Sequence, residues 1–91
     1  MSYNYQSERS NLFTEEGADI LIAMRDKCRQ MIKQSGAFVA SKAMESVTGG
    51  CWVMLAALDY MVEKGELERV MQPGAWAQNE IYKAGKDWMG K

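Results

Sequence analysis

Histidine is absent from this chain of 91 residues, proline occurs once, cysteine occurs twice, and neither sign of charge dominates. Without histidine there is no Ser-His or Cys-His nucleophile pair, no side chain that ordinarily titrates near neutrality, and little from which to build a zinc site. Cys28 and Cys51 are too few to form a metal site alone. Both fall within expected helices of a chain with no secretory segment, so they read as reduced, buried thiols in a cytoplasmic setting. Eleven Lys and Arg against twelve Asp and Glu give a net charge of −1, without the basic excess of domains held mainly by phosphate contacts. The longest apolar stretch, Cys51–Leu58, is far short of the roughly 20 residues needed to cross a bilayer, and Met1–Ser10 is polar; neither a span nor a signal peptide is expected. No two carboxylates are set by local spacing into an evident pocket. The expectation is therefore a protein that is not an enzyme, with no catalytic residues, no cofactor and no metal.

What is present suits one ordinary globular domain: 47% of residues are hydrophobic and 25% charged, and the length leaves no room for a second core. Residues 1–11 show no hydrophobic period and read as a flexible N-terminal arm, leaving 12–91 as the single domain. Thr14 is a good N-cap, with Glu15 and Glu16 placed where a helix dipole favours negative charge. Ile20, Leu21, Met24, Cys28, Met31 and Ile32 then recur at three- and four-residue steps, predicting an amphipathic helix that ends near Gln34 and is stopped by Gly36. Phe38 and Val39 suit a very short strand, and Ser41 can cap a second helix running to about Val47. Thr48-Gly49-Gly50 reads as a tight turn into a third, strongly apolar helix from Cys51 to Lys64, closed by Gly65. It lacks the lysine and glycine spacing of a phosphate-binding loop. Leu67–Val70 and Ile81–Lys83 read as the strands of a hairpin, with Trp88 and Met89 folding back onto the domain. The methionines fall mostly on helical core spacings and serve as adaptable packing.

This order of helix, short extended piece, short helix, glycine turn, longer helix and hairpin resembles the winged helix-turn-helix superfamily. Leu55-Ala56-Ala57-Leu58-Asp59-Tyr60-Met61-Val62-Glu63-Lys64-Gly65-Glu66-Leu67-Glu68-Arg69-Val70 looks like that superfamily's third helix running through its glycine into the first wing strand, and Gln78–Lys83 looks like the second. The resemblance covers residues 14–84 and implies an α+β, mainly α fold: three helices and a C-terminal β-hairpin wing. The brevity and Met-rich composition also resemble small phage or prophage proteins.

In that superfamily the third helix usually enters the DNA major groove, so its outward side chains set the expected function. At 100° per residue, Cys51, Met54, Leu55, Leu58, Met61 and Val62 cluster as the core side, leaving Trp52, Val53, Ala56, Asp59, Tyr60, Glu63 and Lys64 outside. Base readout needs Arg, Lys, Asn or Gln, and phosphates repel carboxylates; two acids and one lysine fit poorly. Trp52, Val53, Ala56 and Tyr60 instead form an apolar-aromatic patch of the kind enriched at protein interfaces. The arm, the Trp88-Met89 segment or a second copy of the chain in a homodimer would cover it equally well. Trp76, in the loop Gln72–Asn79, either anchors a partner or folds under the hairpin. The expected role is thus a small regulator acting by protein contact or self-association. The alternatives are a DNA-binding regulator using Arg25, Arg29, Lys33, Lys64, Arg69, Lys83 and Lys86, or a scaffolding subunit. Arg25, Arg29 and Lys33 stand at four-residue steps on one face of the first helix, which is also how a solvated face with local ion pairs looks.

Overall fold

The computed structural model describes residues 4–45, 47, 49–70 and 81–88. Along the chain run α1 (Tyr5–Glu8), a 3-10 turn (Arg9–Phe13), α2 (Glu15–Ser35), β1 (Ala37–Val39), α3 (Ala40–Met44), α4 (Cys51–Glu63), β2 (Leu67–Val70) and β3 (Ile81–Ala84). The fold is α+β and mainly helical. Its strands form one antiparallel sheet in the order β1-β3-β2, with Phe38 opposite Tyr82 and Leu67 opposite Ala84.

The helix ends follow from local chemistry. Thr14 has extended backbone and its hydroxyl accepts a hydrogen bond from the Gly17 amide at 3.0 Å, relieving one of the orphan donors of the first turn. Gly36, with φ of 80°, closes α2 by donating to the Ile32 carbonyl. At the end of α4 the amides of Gly65 and Glu66 donate back to Val62 and Met61, the paired bonds of a Schellman motif, and Gly65 takes the φ of 79° that this motif requires.

Burial centres on α4, which packs against α2, the 3-10 turn, α1, α3 and β2. Met54, Ala56, Ala57, Leu58 and Met61 of α4 join Ile20, Met24 and Cys28 of α2, Leu12 of the 3-10 turn, Phe38 of β1, Leu67 of β2 and Tyr82 of β3 in one cluster. Phe38 and Tyr82 stack at 5.7 Å beneath the helices, while Glu68 and Lys83 pair across the opposite face of the sheet at 3.1 Å. Among the described residues, no helix is long and apolar enough to cross a membrane.

Several expectations are corrected. The segment expected to be a flexible arm, residues 1–11, contains α1 and the start of the 3-10 turn Arg9–Phe13, both laid against α4; none of residues 4–11 is buried, so no apolar period marks it. Four α-helices are described, not three. The second expected helix starts after Val39 with no side-chain cap and ends at Met44, so Ser41 lies inside it and caps nothing. Cys51, expected to be buried, is exposed and lines a groove with Ser41, Met44 and Glu45 at the end of α3. Cys28 is buried as expected, and its thiol is pushed up to about 12 by loss of solvent and by the neighbouring Glu66 carboxylate.

Candidate functional site

The patch expected on α4 is divided by the fold. Val53, Ala56 and Tyr60 do form one stripe, but the 3-10 turn lies along it. Asn11, Thr14, Gly17 and Val53 line a common cleft of about 530 Å³. Ala56, expected outside, has none of its surface exposed. An alanine carries too little side chain to mark its own face, and the 3-10 turn packed on α4 begins inside the segment expected to be a flexible arm. Trp52 and Val53 are half-buried in the first turn of α4. Tyr60 is half-buried under Phe13, which meets it edge-on with ring centres 5.8 Å apart. Trp76 and the loop around it lie outside the described residues.

Phe13 is the residue that sequence reasoning missed. It leaves 60% of its surface exposed, more than any other large hydrophobic side chain among the described residues. A usable signal was present: of the adjacent Leu12 and Phe13, a turn that buries one must present the other elsewhere. Arg9 lies over both rings, 5.4 Å from Phe13 and 5.6 Å from Tyr60, and Lys64 lies 5.5 Å from Tyr60. The result is an aromatic pair with two cations at its rings.

A polar cluster borders this pair. Tyr5 Oη donates to Glu63 Oε1 at 2.7 Å, and Arg9 grips the same carboxylate as a fork, through Nε at 2.9 Å and Nη2 at 2.7 Å. These hydrogen bonds, led by those from Arg9, hold the Glu63 carboxyl down at about 2. Loss of solvent, then the hydrogen bond to Glu63, pushes the Tyr5 hydroxyl up to about 12. Arg9 is held more firmly protonated still.

The cations expected to meet phosphate are largely engaged at home. Arg25 forks onto Glu66 at 2.8 and 2.9 Å, tying α2 to the start of β2. Arg69 pairs with Asp59 of α4 and lies over the Tyr82 ring at 5.7 Å. Arg29 is 4.0 Å from Asp26, and Lys83 pairs with Glu68. Lys33 is exposed at the end of α2 and Lys86 in the turn after β3. Arg25, Arg29 and Lys33 of α2 therefore do not act as one stripe: Arg25 points at Glu66 and is half-buried. Among the described residues, no three Cys, Asp or Glu side chains converge as a metal would need. No family model, curated protein or solved structure matches the chain.

Proposed function

We propose that the chain is a non-catalytic winged-helix module, a small regulator that works by binding protein through the surface where Phe13 and Tyr60 meet beside Val53 and Trp52. The fold assignment is supported by the succession α2, β1, α3, α4, β2 and β3, in which the short strand between the first two long elements joins the hairpin as a third strand. The functional assignment is carried by one observation. The exposed Phe13 ring sits on Tyr60, while the cations around α4 are already committed to carboxylates or rings of the same chain.

A desolvated aromatic anchor is the usual centre of a protein interface. Duplex binding would instead have to break Arg69 from Asp59 and set Glu63 against phosphates. The absence of histidine supports a binding role over a catalytic one.

Self-association is the form of this contact that needs no known partner. Light scattering should find a dimer that becomes a monomer in Phe13→Ala and Trp52→Ala, with no change on adding mixed-sequence duplex DNA. A monomer that gains mass only with duplex, loses it steeply with salt, and fails to gain it in Arg29→Glu would overturn the proposal in favour of DNA binding. A monomer under both conditions would rule out the dimer and direct the same two alanine variants to a heterologous partner.

A further inference from the structure

We propose that α1 and Arg9 form a strap, clipped over the outer face of α4 by Glu63, that opens as a unit while the rest of the fold stays closed. Its use as a gate rests on the binding role proposed for that face; its opening does not.

The strap has little of its own to hold it shut. A helix of four residues is far below the length that persists alone in water, and α1 contains no buried residue. Tyr5 is half-buried, and its hydroxyl and the Arg9 fork both end on Glu63. Removing one carboxylate therefore removes three hydrogen bonds together. The Arg9 and Glu63 side chains are 35% and 36% exposed, so water can replace each bond as it breaks.

Three residues further on, the situation reverses. Leu12 is 1% exposed within the central cluster, and the Asn11 carbonyl lies where a Cβ on Gly17 would have to be. The boundary between the removable and the rooted parts of this segment thus falls between Arg9 and Leu12. Against the removable part lie the Tyr60 ring, its centre 5.6 Å from the Arg9 guanidinium, and a groove of about 420 Å³ formed by Tyr5 and Gln6 against Asp59, Val62, Glu63 and Arg69. Opening the strap removes two of the groove's walls and takes the Arg9 guanidinium off the Tyr60 ring. Segments with few buried contacts and exposed hydrogen bonds are those that open below the global unfolding energy.

Hydrogen exchange on the isolated full chain tests the strap directly. The amides of Glu8 and Arg9, which donate to the Asn4 and Tyr5 carbonyls, should exchange faster than those of Met24 and Leu58. Glu63→Gln should accelerate Glu8 and Arg9 by roughly tenfold while leaving α2 and the middle of α4 unchanged. Arg9→Gln approaches the same clip from the other side and should reproduce the pattern. The strap is overturned if Glu8 and Arg9 exchange only as fast as Leu58, if both variants leave them unaltered, or if both accelerate α2 and α4 equally. A strap that stays shut leaves the protein-binding proposal intact, since Phe13→Ala and Trp52→Ala decide that separately.

Discussion

Replacing Gly17 with alanine sets two effects of opposite sign against each other. In a helix with open surroundings, alanine is favoured over glycine by about 1 kcal/mol. At Gly17 the added Cβ would stand 1.7 Å from the Asn11 carbonyl oxygen and 2.9 Å from the Leu12 Cα, and both are backbone atoms that no rotamer change can move aside. The 3-10 turn must therefore lift, drawing Leu12 from a site where it is 1% exposed. Full burial of a leucine is worth about 2–3 kcal/mol, so the net expectation is a loss of about 1–2 kcal/mol. With a urea slope of about 1 kcal/mol/M for a domain this small, the unfolding midpoint followed by far-UV circular dichroism should fall by roughly 1–2 M. In a Leu12→Ala background much of that burial has already gone. There the same glycine substitution should cost nearly nothing, or gain up to about 1 kcal/mol. An unchanged or raised midpoint for Gly17→Ala in the otherwise native chain would refute the packing of the 3-10 turn on α2.

Two further outcomes are expected. The Glu63 carboxyl is lowered from 4.5 to about 2 by folding, so its contribution is complete above 4.5 and is lost as pH falls from there towards 2; the Tyr5 hydroxyl is raised from 10.0 to about 12, so its contribution is complete below 10.0 and is lost as pH rises. Exchange at Glu8 and Arg9, corrected for intrinsic rates, should accordingly be slowest between these limits, and Glu63→Gln should abolish the acid-side rise. Arg25→Met leaves Glu66, whose side chain is 13% exposed, without its fork and close to the buried Cys28. Urea titration should show a loss of about 1–3 kcal/mol, largely restored by the double variant Arg25→Met with Glu66→Leu, in which no charge is left behind.

The parts of the fold legible in the sequence are those whose cause is local. Thr14, Gly36 and Gly65 act on backbone groups within a turn of themselves, and α2 and α4 accordingly begin and end within about one residue of expectation. The strand pair Leu67–Val70 and Ile81–Ala84 follows from short β-favouring runs. Ser41 misled because a capping residue type is only half of a cap: the chain must also be extended at that point, and here it is extended at Val39 instead. Residues 5–13 were illegible for a different reason. Their helical turns are stabilised by contacts with residues about 50 positions away, from Arg9 and Tyr5 to Glu63, and no window of local sequence contains both partners.

The same distinction explains the candidate surface. Periodicity places Cys51, Met54, Leu55, Leu58, Met61 and Val62 on the core side; Met54, Leu55, Leu58 and Met61 are buried, Val62 is half-buried and Cys51 is exposed, while Ala56, placed outside, is buried as well. It assumed that a helix is packed on one side. α4 is packed on several, by α2, the 3-10 turn, α1 and β2, so Ala56 disappears and Tyr60 retains only part of its surface. On α4 two acids stand against one lysine, a composition poorly suited to reading phosphates. What composition alone left open is why those acids are there. Asp59 holds Arg69 of the sheet and Glu63 holds Tyr5 and Arg9 of the preceding segment, so the carboxylates that oppose DNA binding also fasten two neighbouring elements to the helix. A variant with Asp59→Lys and Glu63→Lys, built to make α4 look like a DNA reader, should therefore release α1 and weaken the β2 contact before it gains any affinity for a duplex. Far-UV circular dichroism and urea titration would register that loss; retention of full stability with new DNA affinity would show that these carboxylates have no structural role.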